Sequence, residues 1–155
     1  MIPRLKSVTV TDFRSIRGTV TVPLDSPVVL IHGQNGFGKT SLLSAIELGL
    51  TGQVASLTRV DPTCESHLVH KAAAEGRVSI TVDGLTDLAQ SAEIKSINRR
   101  FSGKGALSPL LSRFYGERCY LAQSTLARLL EIYQHKDARL TESPLTKFVK
   151  DLLGL

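Results

Sequence analysis

The fold of this chain is indicated most directly by eight consecutive residues, Gly33-Gln34-Asn35-Gly36-Phe37-Gly38-Lys39-Thr40. They match the pattern G-x-x-x-x-G-K-[ST], in which glycines let backbone N–H groups converge on an anion. A continuous apolar run, Val28-Val29-Leu30-Ile31, precedes the pattern, and a segment with apolar residues at helical spacing follows it. Strand, glycine-rich loop and helix in this order predict a phosphate-binding loop, so we expect a nucleoside triphosphate to bind here.

Each position of this loop has an expected role. The Lys39 ammonium is expected to neutralise the β and γ phosphates, and the Thr40 hydroxyl to hold Mg²⁺. The remaining binding positions are expected to line the phosphates: Gly33, Asn35, Gly36, Phe37, Gly38 and Ser41.

The apolar run at residues 28–31 is continuous rather than alternating, which predicts a central strand covered on both faces. Leu43, Ile46 and Leu50 predict one apolar side on the helix after the loop.

The rest of the chain alternates between strand and helix patterns. Residues 6–13 and 18–22 alternate polar and apolar side chains, as do residues 77–82, and Asp83-Gly84 signals a hairpin turn toward a strand in residues 88–97. Residues 107–115 have helical spacing with Pro109 in the first turn, and a last helix begins near Ser143. We predict an α/β fold with a mixed β-sheet and a β-hairpin region, within one domain.

Composition limits the classes of partner. Lys and Arg outnumber Asp and Glu by 19 to 14, for a net charge of +5 and a pI near 9.5, which favours phosphate-bearing partners. The chain has no Trp and few aromatic residues, so recognition of single strands by stacking is not indicated. Two cysteines argue against a disulfide framework or a zinc site. No apolar stretch suits a membrane span, and we expect a cytoplasmic protein without a membrane partner.

A catalytic carboxylate is missing from the expected pattern. Nucleotide hydrolysis needs an acidic residue that holds Mg²⁺ and usually another that activates water. Asp83 is the nearest candidate, but the alternation before it and the glycine after it favour a hairpin. Glu47 lies on the helix after the loop, where we expect a solvated charge. The sequence therefore predicts nucleotide binding and only half of an ATPase.

The loop and its setting resemble the structural maintenance of chromosomes (SMC) superfamily and its double-strand-break-repair, SbcC-like branch. The residues that carry the resemblance are Gly33 to Leu43, Asp12-Phe13-Arg14-Ser15-Ile16, Leu68-Val69-His70-Lys71 and the segment beginning Tyr120-Leu121-Ala122-Gln123. The resemblance implies that Arg14 lies at the phosphates or the base edge, with Val69 and Lys71 beside the base. It implies that Gln123 is a Q-loop residue reaching Mg²⁺ and the attacking water.

The same resemblance implies an ABC-type (AAA) ATPase head that is split by a coiled coil. Residues 1–155 would be the N-terminal nucleotide-binding lobe, with residues 143–155 beginning the coil. Signature and Walker B motifs would lie on a C-terminal lobe of the same or a separate chain. ATP would join two heads as a homodimer. The family acts on DNA, in repair, in end processing with a nuclease or accessory subunit, or in defence against phage or plasmids.

DNA phosphates would be contacted by basic residues, for which scattered surface charge is the competing interpretation. The candidates are Arg4, Lys6, Arg17, Lys95, Arg99, Arg100 and Lys104. Two other functions stay open at this point. One is a self-contained P-loop kinase, with Arg99-Arg100 as the only hint of a lid. The other is a transporter-type ABC subunit, which the segment Asp12 to Ile16 disfavours.

Overall fold

Alternating side chains build a five-stranded sheet in the computed structural model, which describes residues 4–59, 61–83 and 91–120. The strands are β1 (Arg4–Phe13), β2 (Ile16–Pro23), β3 (Arg77–Asp83), β4 (Ser91–Ile97) and β5 (Arg100–Ser102). Their order is β2-β1-β3-β4-β5, and every neighbouring pair is antiparallel. The predicted hairpin is confirmed by the pairing of β3 with β4, whereas β5 was not expected from the sequence.

One face of the sheet is the core and the other is polar. Val8 pairs with Ile80 and Val10 with Val78, and all four side chains are fully buried. On the opposite face of β1, the Thr9 hydroxyl lies 3.0 Å from that of Thr21 across the strand pair. A period of two residues separates the two environments, which is why these strands could be predicted from the sequence alone.

Helix α1 (Lys39–Thr51) packs on the apolar face of the sheet against β1, β3 and β4. It is buried on more than one side, and Leu43, expected in the buried stripe, is 42% exposed. Gly49 lies so close to β3 that an added Cβ would stand 3.0 Å from Cβ of Ile80. At its C-terminus the helix receives hydrogen bonds from the N–H groups of Ala106 and Leu107 to the Gly49 and Leu50 carbonyls.

Short helical segments complete the described part of the chain. They are α2 (Ala55–Thr58), a 3₁₀ turn at Cys64–His67, α3 (Pro109–Phe114) and a π turn at Tyr115–Cys119. Helix α3 begins as expected, with Pro109 after the N-cap Ser108, whose hydroxyl accepts from the Leu111 N–H. Within the residues that the structure describes, no helix has the length and apolar character that a bilayer crossing requires.

The central strand expected at residues 28–31 is not formed, so this prediction was wrong. These residues belong to no strand, and Val28 and Leu30 are 84% and 81% exposed. A buried strand needs hydrogen-bonding neighbours and cover on both faces. The described residues provide neither at this place. The helix predicted from Ser143 lies outside the described residues.

Candidate functional site

The phosphate loop connects residues 28–32 to helix α1, which begins at Lys39. Gly36 and Gly38 have φ angles of 88° and 86°, a left-handed conformation that glycine adopts without a Cβ clash. Gly38 is also the residue that precedes α1. The unpaired N–H groups of the first helical turn therefore follow directly on the glycine loop, as an anion site at a helix N-terminus requires.

Lys39 folds back over the loop that it ends. Its Nζ donates to the carbonyl oxygens of Gly33 and Gln34, at 2.8 and 2.7 Å. The side chain thus bridges the last part of the loop to its first two residues, and the ammonium lies against the loop. A cation held here is placed to neutralise an anion bound by the loop N–H groups.

Thr40 and Ser41 occupy different environments at the start of α1. Thr40 is exposed, whereas Ser41 is 4% exposed and its hydroxyl lies 2.8 Å from that of Ser15. Among the described residues, no three His, Cys, Asp or Glu side chains cluster as a metal site. Mg²⁺ in phosphate-transfer sites takes one or two protein groups plus phosphates and water; Thr40 is accessible to such an ion, and its predicted role stays a prediction.

Arg14 lies in the turn between β1 and β2, and its side chain joins this turn to α1 through a hydrogen bond. Its Nη1 donates to the Ser44 hydroxyl at 3.0 Å, and Ser44 is fully buried. The φ of Arg14 is 53°, which is uncommon for a residue with a side chain. An added Cβ on Gly38 would stand 3.2 Å from Cγ1 of Ile16. The turn that carries Arg14 therefore packs directly against the phosphate loop, and the role that the resemblance implies for Arg14 stays a prediction.

Residues 68–71 are paired to the end of β1. The Arg14 N–H donates to the Leu68 carbonyl at 2.7 Å, and the His70 N–H donates to the Asp12 carbonyl at 2.8 Å. Phe13 and Val69 form the antiparallel bridge between these two bonds. This pairing brings Val69 and Lys71 toward Arg14. Val69 is 2% exposed and Lys71 is exposed, so Lys71 has the more accessible side chain.

A cleft of about 560 Å³ opens between the β1–β2 turn, the start of α1 and this loop. It is lined by Arg14, Ser15, Ser41, His67, Val69, His70, Lys71 and Arg99. Four of these, Arg14, Ser41, Val69 and Lys71, are binding residues predicted from the sequence. The lining includes none of residues 33–40, so the phosphate loop and the cleft are neighbours that meet at Ser41.

The sequence-based prediction did not assign four of the lining residues to the nucleotide site: Ser15, His67, His70 and Arg99. Ser15 and His70 lie inside the segments that carry the family resemblance, so their position was an available signal. Arg99 comes from the turn between β4 and β5, about 30 residues from Val69 in sequence. No local pattern connects such distant residues, because their approach depends on the pairing of the strands.

Three other sequence interpretations concern acidic residues and the Q-loop. Glu47 was expected to be solvated, and this was wrong, because it is 2% exposed. Asp83 pairs with Arg4 at the start of β1, whereas the candidate site surrounds the end of β1, so Asp83 is remote from it. Gln123 lies outside the described residues, and its predicted role stays a prediction.

Comparison with known proteins gives both a family and a fold. A family model described as an AAA domain matches residues 7–147. The chromosome partition protein Smc of Gloeobacter violaceus is 27% identical over 117 residues, which is 76% of this chain and 10% of that protein. Arcadin-4 of Pyrobaculum calidifontis is 33% identical over 104 residues, 66% of this chain and 12% of that protein. The chain thus spans about a tenth of the length of these curated relatives.

Two solved structures have a similar fold. An SMC ATPase, studied for its ATP-driven dimerization and DNA-stimulated activation, has a TM-score of 0.61 at 16% identity and covers 97% of this chain and 98% of that chain. The recombination mediator RecF with ATPrS has a TM-score of 0.50 at 24% identity, over 63% of this chain and 25% of that chain. The α/β fold of a P-loop ATPase head, expected from the sequence, is thereby confirmed.

Proposed function

Because the chain belongs to the AAA domain family, whose model matches residues 7–147, we propose that it is the N-terminal, ATP-binding lobe of an SMC-like ATPase head. The observation that carries the proposal is the junction at Ser41. There the phosphate loop, with Lys39 bridging its ends, meets a cleft lined by Arg14 and Lys71. The triphosphate and the nucleoside are chemically different parts of the ligand. We assign the triphosphate to the phosphate loop and the nucleoside to the neighbouring cleft.

In this proposal the loop N–H groups and Lys39 bind the β and γ phosphates, and Thr40 holds Mg²⁺. The metal ion would supply further neutralisation of the phosphate charge. Arg14 stays fastened to Ser44 and presents positive charge at the edge between loop and cleft. Lys71 and Val69 contribute the wall beside the base. Preorganised donors of this kind bind charge without having to reorganise when the ligand arrives.

Hydrolysis would require a second lobe, and the exposed apolar residues 28–30 support this. Val28 and Leu30 are almost fully exposed, although a continuous apolar run before a phosphate loop is typical of a buried strand. A complementary lobe that adds strands and cover would bury this run. We propose that the C-terminal lobe, on the same or a separate chain, does so and supplies the signature and Walker B residues.

ATP would then act as a dimerisation ligand between two completed heads. The solved SMC ATPase is described as undergoing ATP-driven dimerization and DNA-stimulated activation, and the relative named Smc partitions chromosomes. By this similarity we propose that the completed protein is an ATPase acting on DNA, in repair, end processing or defence. A nuclease or accessory subunit would be its further partner.

Calorimetric titration of the chain with Mg²⁺ and ATP tests the nucleotide site. Replacing Lys39 by Ala should weaken binding by at least about tenfold, since a hydrogen bond to a charged group contributes roughly 1.5–3 kcal/mol. Lys104→Ala is the matched control, because Lys104 lies in the loop beside Gly52, at the other end of α1. Equal affinities for the wild type and Lys39→Ala would refute the assignment.

A further inference from the structure

Arg99 occupies a turn position that normally favours glycine. Asn98 and Arg99 form the two-residue connection between β4 and β5, with φ angles of 51° and 63°. Two-residue hairpins with positive φ at both central residues are type I′ turns, and their second central residue is usually Gly. A long side chain at this position is held in a disfavoured backbone conformation. The turn itself does not explain an arginine at this position.

The guanidinium of Arg99 holds the loop that forms one wall of the cleft. Nη1 donates to the Ala73 carbonyl at 2.6 Å and Nη2 to the Val69 carbonyl at 3.2 Å. The two carbonyls flank a short span that contains His70 and Lys71, and the Ala73 N–H donates to the His70 carbonyl. One planar group therefore fixes both ends of the span, which the point charge of a lysine is poorly shaped to do.

These two bonds complement the pairing of the same loop with β1. The backbone groups of Leu68 and His70 bond to β1, so in an antiparallel bridge the carbonyl of Val69 points to the other side. Nη2 of Arg99 donates a hydrogen bond to that carbonyl. The loop is thus anchored from β1 on one side and from the β4–β5 turn on the other, and Lys71 lies between the anchors.

We propose that Arg99 is a positioning residue that sets the loop of residues 69–73 against the cleft and thereby raises the affinity for nucleotide. The inference rests on the proposed function for its ligand. It assigns to Arg99 a role other than DNA contact, since its guanidinium donors are directed at loop carbonyls. Fixing a binding loop before the ligand arrives lowers the cost of ordering it on binding.

Arg99→Gly separates this role from a role in the turn. Glycine suits the backbone conformation, so a fall in the unfolding temperature of this variant would come from the two lost bonds and not from the turn. Loss of the two bonds should free the loop, so the Ala72 and Ala73 amides should exchange faster with solvent. ATP affinity, measured by calorimetry with Mg²⁺, should fall by about three- to tenfold, since a preorganised loop is lost.

Two further variants serve as controls. Arg99→Lys keeps the charge but not the planar fork, so its affinity should stay close to that of Arg99→Gly. Arg100→Ala removes the same charge one residue further on, where the side chain forms no ion pair within the described residues, and should bind like the wild type.

The outcomes separate the inference from the proposed function. Wild-type affinity and unchanged amide exchange in Arg99→Gly would overturn the inference, and so would full recovery in Arg99→Lys, which would assign the effect to charge. If the wild type bound no ATP, the proposed function would fail. Amide exchange in Arg99→Gly would still decide whether Arg99 positions the loop.

Discussion

The Glu47 carboxylate on α1 accepts hydrogen bonds from both the backbone N–H and the hydroxyl of Ser56 on α2, with 3.0 Å between the Ser56 nitrogen and Oε1. It is 2% exposed, so these donors replace water around the charge. Burial raises the pKa of Glu47, and the bonds from Ser56 lower it only in part. Burial and the nearby Glu47 charge also raise the pKa of Tyr115.

Replacing Glu47 by Gln should change how stability depends on pH. Because folding raises this pKa above its ordinary value of 4.5, the folded chain holds the proton to a higher pH than the unfolded chain. The contribution of Glu47 to the free energy of unfolding therefore falls as pH rises above about 4.5. Urea unfolding from pH 4 to 8 should show Glu47→Gln gaining stability relative to the wild type as pH rises.

Asp61 gives a control of opposite sign. Its side chain accepts from the Thr63 N–H and hydroxyl, and these bonds lower its pKa. Its contribution to stability is present above the ordinary aspartate pKa and is lost as pH falls. Asp61→Asn should therefore lose stability relative to the wild type as pH rises through the acid range to the ordinary value of 3.8, with no further change at higher pH. Parallel pH profiles for the two variants would contradict the assigned causes.

Gly49→Ala should destabilise the chain by about 1–2 kcal/mol, because the added methyl group overpacks the contact between α1 and β3. The new Cβ would stand 3.0 Å from Cβ of Ile80, which is fully buried between paired strands and has no room to yield. Gly116→Ala is the matched control, with nothing within 4 Å of its added Cβ. Thermal unfolding of both variants checks this, and equal melting temperatures would contradict it.

Val28→Asp should leave the isolated chain as stable as the wild type, because the side chain is 84% exposed. The same change should abolish assembly with the C-terminal lobe, since a buried strand does not tolerate an unpaired carboxylate. Co-purification of the two lobes and ATP hydrolysis by the mixture measure this. Ile97→Asp is the control variant, because it places the same charge at another exposed apolar residue, which lies on β4 and is 68% exposed. Assembly of Val28→Asp at the wild-type level would refute burial of residues 28–31.

DNA binding, if the proposed surface charges supply it, should weaken steeply with salt. Lys6 and Lys95 form ion pairs with acidic neighbours, and within the described residues four other candidates form none: Arg4, Arg17, Arg100 and Lys104. If each neutralises one phosphate, the slope of log K against log salt should be about −3 to −4. Fluorescence anisotropy with labelled DNA duplexes of unrelated sequence, measured over a range of salt concentrations, tests this. A flat salt response, or a strong preference for one sequence, would contradict it.

The phosphate loop and most strands were predictable from the sequence, because their patterns lie in residues that are neighbours in sequence. The positive φ of Gly36 and Gly38 follows from the absence of a side chain. The alternation in β1 and β3 follows from the two-residue period of a strand. The start of α3 follows from Pro109 in its first turn. Each of these patterns lies within a short stretch of sequence, although β1 forms as a strand by pairing with the distant β3.

The cleft, the buried Glu47 and the exposure of residues 28–30 were decided only by the tertiary structure. Arg14, Val69 and Arg99 belong to three separate segments, and strand pairing and two guanidinium bonds bring them together. Glu47 is buried because α2 supplies donors for its carboxylate. The apolar run at residues 28–31 has strand character, but a strand forms only where neighbours pair with it, since backbone polar groups must find partners.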